Sequence, residues 1–326
     1  MNASPLLQVE DLSVDFTGRR RAAALSGLNL TLGAGEVLAL LGESGSGKSV
    51  TLRTLLRLHP EATTRVRGKI RVDGQDVLAL RGSALRRYRG GTVAMVFQEA
   101  GLAFDPVYTV GDQIAEAVQA HDGVDRGTAR LRAMEMLERV QIPQARRRLD
   151  AYPHEMSGGM RQRAMIALAL SCRPKLLLAD EPTTALDASV QIQILLLLRE
   201  LQRETGMAVI FVTHDIGAAV EVADRVAVMY GGRLVEDRAL RELVAAPRHP
   251  YSAGLLRSVV GAGQRGQPLP AIAGAPPDLA DLPPGCAFAP RCGAATARCT
   301  AEMPALSTDG AGRVACWHPV EMARVA

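Results

Sequence analysis

Hydrophobic and polar positions change their period several times along this chain. From Leu7 to Leu32, short alternating stretches flank a polar, arginine-rich turn at Thr17 to Arg21, the pattern of a β meander leading into a core. Glu36-Val-Leu-Ala-Leu-Leu41 is a short apolar run ending in a glycine-rich loop, and Ser49 to Leu58 predicts a helix. Further on, Lys175 to Asp180 and Ala208 to Thr213 are continuous apolar runs of buried-strand type, separated by a helical stretch from Ser189 to Thr205. Such alternation predicts a parallel sheet wrapped by helices. Between the early and late strands, Tyr108 to Leu170 carries helical periodicity at Val110 to Ala120 and Thr128 to Val140, an inserted helical subdomain over about residues 99–170.

After about Ala246 the composition shifts. Proline, glycine and alanine dominate Gly261 to Pro284, so a boundary is expected near Val244 to Pro250, dividing the chain into 1–245 and 246–326. A length of 326 residues accommodates a large core plus such an appended module. Apolar runs such as Ala164 to Leu170 and Ile192 to Leu198 fall far short of the roughly 18–20 residues that span a bilayer. Met1 to Glu10 has no basic, apolar and cleavage-site succession of a secretory signal, so the chain is expected in the cytoplasm. The net charge of +4 is mild, and the arginines fall in short clusters (Arg19 to Arg21, Arg86, Arg87 and Arg89, Arg146 to Arg148) that read as solvated surface. With only 3% aromatic residues there is no base-stacking face, and no nucleic-acid partner is expected.

The chemistry begins at Gly42-Glu-Ser-Gly-Ser-Gly-Lys48-Ser49, a full G-x-x-x-x-G-K-[ST] set between a predicted strand and a predicted helix. In that geometry the backbone N–H groups of Ser44, Gly45, Ser46 and Gly47 and the helix N-terminus surround phosphate oxygens, while Lys48 neutralises the β- and γ-phosphates. Ser49 coordinates Mg²⁺, and Val50 completes the nucleotide contacts. Downstream, the apolar strand ending in Asp180-Glu181 can aim two carboxylates at a metal and a water. Asp180 suits the Mg²⁺ and Glu181 the general base.

Ser157-Gly158-Gly159-Met160-Arg161-Gln162-Arg163 then resembles the signature sequence of the ABC ATPases. The resemblance covers about Leu6 to Val244 and implies an α/β fold: a P-loop (RecA-like) core, an antiparallel β subdomain and an inserted helical subdomain. It implies that Ser157, Gly158 and Gly159 bind the γ-phosphate held by a partner subunit, across an interface that Asp187 of Ala185-Leu186-Asp187 also meets. Gln98, after the strand Thr92 to Phe97, matches the glutamine that senses Mg²⁺ and faces membrane subunits; His214 matches the switch histidine; Phe16 matches the aromatic that stacks on adenine. Met156 and Met160 depart from the leucine and glutamine usual at the signature's flanks.

Phe104-Asp-Pro-Val-Tyr-Thr-Val-Gly111, Ala179 to Asp187 and His249-Pro250-Tyr251 are similar to the oligopeptide, dipeptide and nickel importers, with Asp105 where asparagine is common. That branch implies a homologous ATPase partner in a heterodimer, two transmembrane permease subunits, a periplasmic or extracellular substrate-binding protein, and a place on the cytoplasmic face of the bacterial inner membrane. Peptide is the expected cargo, with nickel, glutathione or another small solute as alternatives. A soluble ABC ATPase acting on nucleic acid or ribosomes is the rival from another class; such proteins carry tandem cassettes or a long coiled coil, which this chain lacks. Four of the five cysteines, Cys286, Cys292, Cys299 and Cys316, lie in a small cysteine-containing C-terminal extension. Related subunits hold a [4Fe–4S] cluster on cysteines arranged like these, so the resemblance implies that cofactor beside ATP and Mg²⁺. Gaps of five, six and sixteen residues leave Zn²⁺ open as the alternative. Cys172 reads as a core residue.

Overall fold

The computed structural model describes residues 4–18, 21–184, 186–258 and 271–321. Arg19, Arg20, Ala185, the first three residues, residues 259–270 (the start of the proline- and glycine-rich stretch among them) and 322–326, all within readings made above, lie outside the described residues. In chain order the strands are β1 (Leu7–Phe16), β2 (Ala22–Leu32), β3 (Val37–Leu41), β4 (Thr64–Val72), β5 (Gln75–Asp76), β6 (Val93–Val96), β7 (Leu176–Asp180), β8 (Ala208–Thr213), β9 (Arg225–Tyr230), β10 (Arg233–Ala239), β11 (Ser307–Asp309) and β12 (Gly312–Val314). The helices are α1 (Lys48–Leu55), α2 (Gly82–Arg87), α3 (Val110–Asp122), α4 (Arg126–Arg139), α5 (Ala145–Arg148), α6 (Gly158–Leu170), α7 (Ala188–Thr205), α8 (Ile216–Val222), α9 (Leu240–Ala245), α10 (Pro250–Arg257) and α11 (Ala297–Ala301). These elements divide between two compact units.

The first unit contains Gly33–Glu36 and Ala79–Val212. Its strands β6, β7 and β8 run parallel with β7 in the middle, Val93 opposite Leu176 and Leu176 opposite Ala208. Every residue of the three strands is buried, which explains why they read as unbroken apolar runs. Each large aliphatic side chain removed from water there contributes about 1.5–3 kcal/mol. Helices α3, α4 and α6 pack on one another, as the helical periodicity of 99–170 predicts. Their starts are set by side-chain caps: Thr109 Oγ1 accepts from the Asp112 N–H at 3.2 Å, Asp125 Oδ1 from Thr128 at 3.0 Å, and Ser157 Oγ from Met160 at 3.3 Å.

The second unit contains Pro5–Leu32, Val37–Leu78 and the described chain from Thr213 onward. It holds an antiparallel sheet in the order β2-β1-β4-β5, the expected meander with two later strands added. Leu7, Val9, Leu12 and Val14 of β1 are buried, and an irregularity between Val9 and Leu12 restores the period. Alongside it, β3 runs parallel to β9 with Leu38 opposite Arg225, while β9, β10, β12 and β11 continue antiparallel. One apolar cluster joins Ala39, Leu41, Val226, Val228 and Tyr230 to Leu243, Tyr251, Ala287 and Phe288. The C-terminal segment thus shares a core with the strand that leads into the phosphate loop.

Candidate functional site

In the second unit, β3 delivers Leu41 into the glycine-rich loop and α1 begins at Lys48. Gly42 has φ +155°, and a Cβ there would meet the Met229 carbonyl at 2.4 Å, so only glycine fits where the loop leaves the sheet. The buried Lys48 ammonium donates to the Gly42 and Glu43 carbonyls at 2.7 and 2.9 Å. The Ser46 N–H donates back to the Glu43 carbonyl at 3.2 Å, and the Gly232 N–H holds the Ser46 carbonyl at 3.1 Å. Ser44 and Gly45 are exposed, while Ser46, Gly47 and Lys48 are buried beneath them and Ser49 and Val50 are half-buried at the helix start. This is a concave turn of backbone amides over a helix N-terminus, with one cation inside: a phosphate cradle. Phe16, at the end of β1, packs edge-on against His59 with ring centroids 5.4 Å apart. It also lines a cavity of about 440 Å³ with Ala22, Ala23 and Leu279. His214 follows β8, exposed to solvent, just before Asp215 caps α8 by accepting from the Gly217 N–H at 2.7 Å.

In the first unit, β7 ends at the buried Asp180, and Glu181 follows in the left-handed region at φ +45°. Its N–H donates to the Val212 carbonyl at 3.1 Å, so the strained residue is held by the neighbouring strand. Glu181 Oε2 accepts from Gln98 Nε2 at 3.3 Å and from Thr184 Oγ1 at 3.1 Å. The structure therefore joins the glutamine and the acid that the motif reading assigned to one reaction, and adds Thr184, which the sequence pattern alone did not single out. Ser157 caps α6, with Gly158 and Gly159 in the first turn. A Cβ on Gly159 would meet Val190 Cγ1 at 2.9 Å, so the glycine lets the starts of α6 and α7 approach closely. Asp187 caps α7, accepting from Val190 N–H at 2.9 Å and Ser189 Oγ at 2.7 Å; the Ser189 hydroxyl first, then the amide, hold its carboxyl below the usual range. Met156, unusual in sequence, is 4% exposed and fills the interior beside the signature, a place that suits a flexible thioether. Cys172 is half-buried with its thiol pushed up by burial.

The four late cysteines line one apolar cavity with His249, Phe288 and Trp317. Burial pushes the Cys316 thiol up to about 11 and raises Cys286 as well, with the neighbouring thiols adding to both. His249 Nδ1 accepts from the Tyr251 N–H at 3.1 Å, which leaves the proton on Nε2; that nitrogen is buried without a hydrogen-bond partner. Yet among the described residues no group of three or more His, Cys, Asp or Glu side chains is arranged to hold a metal ion. Neither the expected cluster nor its Zn²⁺ alternative therefore has a preformed metal-binding group among the described residues. Among the described residues no helix is long and apolar enough to cross a membrane.

Known proteins resemble this chain along most of its length. A family model described as ABC transporter matches residues 25–184, and one described as Oligopeptide/dipeptide transporter, C-terminal region, matches residues 235–299. A putative peptide import ATP-binding protein of Brucella abortus (strain 2308) is 48% identical over 324 residues, covering 94% of this chain and 95% of that protein. Another, from Brucella suis biovar 1 (strain 1330), is 47% identical over 317 residues, covering 97% and 96%. Among solved structures, a dimeric ATP-binding cassette in a post-hydrolysis state bound to ADP and Pi is 29% identical with a TM-score of 0.64, over 72% of this chain and 99% of that one. A Clostridium perfringens protein that is part of an ABC transporter complex is 30% identical with a TM-score of 0.63, over 74% and 92%.

Proposed function

The chain belongs to the ABC transporter family and is an ATPase with that family's cassette fold, and from this premise we propose that it powers the import of di- or oligopeptides. The printed names of the relatives and the matching C-terminal region support peptide over nickel, glutathione or another solute. The cassette reading assigns residues 1–245 to nucleotide chemistry and 246–326 to a C-terminal extension. ATP sits on Gly42, Ser44, Gly45, Ser46, Gly47, Lys48, Ser49 and Val50, with Phe16 against adenine, and Mg²⁺ is met by Ser49, Gln98 and Asp180. Glu181 polarises the attacking water and His214 senses the γ-phosphate. Ser157, Gly158, Gly159 and Asp187 serve the nucleotide of a homologous partner subunit. Closure of that heterodimer moves two permease subunits on the cytoplasmic face of the inner membrane, and a substrate-binding protein delivers the cargo.

The observation that carries this reading is the Gln98–Glu181 hydrogen bond, which ties the water-activating acid to the loop that faces the permease. Phe97, Val107 and Tyr108, 41%, 68% and 58% exposed in the two permease-facing segments, supply the apolar surface such a contact needs. The test uses the assembled importer in cells. Glu181→Gln is expected to abolish uptake of a labelled dipeptide, to slow hydrolysis at least about 100-fold and to accumulate an ATP-bound closed dimer. Full turnover by that variant would overturn the assignment of the base, and uptake of nickel in place of peptide would overturn the cargo.

Cys286, Cys292, Cys299 and Cys316 would hold a [4Fe–4S] cluster. The all-thiol donor set, the apolar enclosure and the unpartnered His249 Nε2 support that group, since sulfide can accept the buried N–H. When bound, it would staple the segment rather than carry electrons, because ATP hydrolysis needs no redox step.

A further inference from the structure

The second residue of the phosphate loop is held from outside, by side chains more than 200 positions downstream. The Glu43 N–H donates to the Tyr251 hydroxyl oxygen at 2.7 Å. Both carboxylate oxygens of Glu43 accept from Arg291, Oε2 from one terminal nitrogen at 2.6 Å and Oε1 from the other at 3.0 Å. The same guanidinium donates to the Tyr230 hydroxyl at 3.0 Å and to the carbonyls of Ala273 and Ile272 at 2.9 and 3.2 Å. That accounts for all five of its N–H donors, and its side chain is 6% exposed. Glu43, first, and then Tyr230 hold its charge in place well above the ordinary range. Tyr251 is equally fixed: fully buried, with ring centroids 4.6 Å from Tyr230 and 5.4 Å from Phe288.

This arrangement grips a single peptide plane. The plane between Gly42 and Glu43 points its N–H outward to Tyr251 and its carbonyl inward to Lys48. When a triphosphate draws the Lys48 ammonium to its own oxygens, the inner anchor is given up, and the outer anchor is what keeps the plane from turning. We infer that Arg291 and Tyr251 are positioning residues for ATP binding: acting through Glu43, they preorganise the phosphate loop, so the C-terminal segment is a working part of the nucleotide site. Preorganisation of this kind lowers the ordering cost of binding and so acts on affinity. A planar fork matters here, since lysine has one point charge and cannot satisfy two carboxylate oxygens and three further acceptors.

The inference rests on the loop binding ATP, which Lys48→Ala in the full chain tests separately: unchanged ATP affinity there would sink the nucleotide site itself. With the wild-type site established, Mg-ATP affinity and the split between KM and kcat are measured for Tyr251→Phe, Glu43→Gln, Arg291→Lys and Arg291→Met. Tyr251→Phe removes one oxygen and keeps the ring packing, so it remains informative even if Arg291→Met unfolds. It is expected to weaken ATP binding several-fold, with the loss on KM rather than kcat. Arg291→Met is expected to weaken binding about tenfold, equivalent to 1.4 kcal/mol, with Arg291→Lys between it and wild type. Glu43→Gln added to Arg291→Met should cost little more than Arg291→Met alone, as coupled partners require. Wild-type affinity in both Tyr251→Phe and Glu43→Gln, or fully additive losses in the double variant, would overturn the inference.

Discussion

Ser157 caps α6, and the proposed function gives it a second task. Its oxygen accepts the Met160 N–H, and its hydroxyl keeps a donor that on that proposal goes to a phosphate across the dimer. Ser157→Ala should therefore lower the stability of the isolated subunit by about 1 kcal/mol in denaturant titrations, the ordinary cost of losing such a cap. ATP-driven dimerisation should fall by more than tenfold beyond that. A stability loss with dimerisation intact would leave Ser157 as a cap alone. The residues at this scale were legible because each motif concentrates its chemistry within a few positions. Glu181 at φ +45° was not, since nothing in Ala179-Asp180-Glu181-Pro182 shows that the acid stands in a left-handed turn. Met156 was opaque for the opposite reason: its place is decided by the interior it fills.

At the scale of elements, α3 is anchored by Asp112, whose carboxyl is held below its ordinary value of 3.8 by the Thr109 hydroxyl first and by Arg126 and Arg130 after it. As pH falls, the unfolded chain takes up this proton before the folded one does. The contribution is thus present above the unfolded value and is lost as pH drops through the folded one. Melting temperatures of wild type and Asp112→Asn should differ most above the ordinary carboxylate value of 3.8 and converge as pH falls below it; a constant gap would mean the carboxylate's charge is not what stabilises α3. The buried strands β3, β7 and β8 were readable from unbroken apolar runs, and α3, α4 and α7 from helical periodicity. The hairpin β9–β10 carried a usable signal in its two-residue Gly231-Gly232 turn. The strands β11 and β12 did not: three residues each, they form a hairpin whose β12 lies along β10.

At the scale of the whole molecule, the thiol cavity makes a prediction about composition. Anaerobically purified protein should contain about four irons and matching sulfide per chain, with the broad visible absorption of such clusters, and Cys286→Ser should lose both. Iron-free protein that still folds and hydrolyses ATP would remove the cofactor and leave the cassette untouched. The family was legible because ordered motifs survive as strings of letters. What ties the C-terminal segment to the nucleotide loop was illegible, because Glu43 is an unconstrained position in its motif and its partner Arg291 stands 248 residues away.

That separation has a consequence in time. A ribosome adds on the order of 5–20 residues per second, so Glu43 emerges some tens of seconds before Arg291 exists to meet it. Throughout that interval the nascent cassette displays its phosphate loop with the Arg291 anchor unmade, and on the inference above it gains its full hold on ATP only once Arg291 has been added. A chain cut short before Arg291 would then compete poorly for nucleotide, and would be slow to enter a partner's dimer in place of a finished subunit.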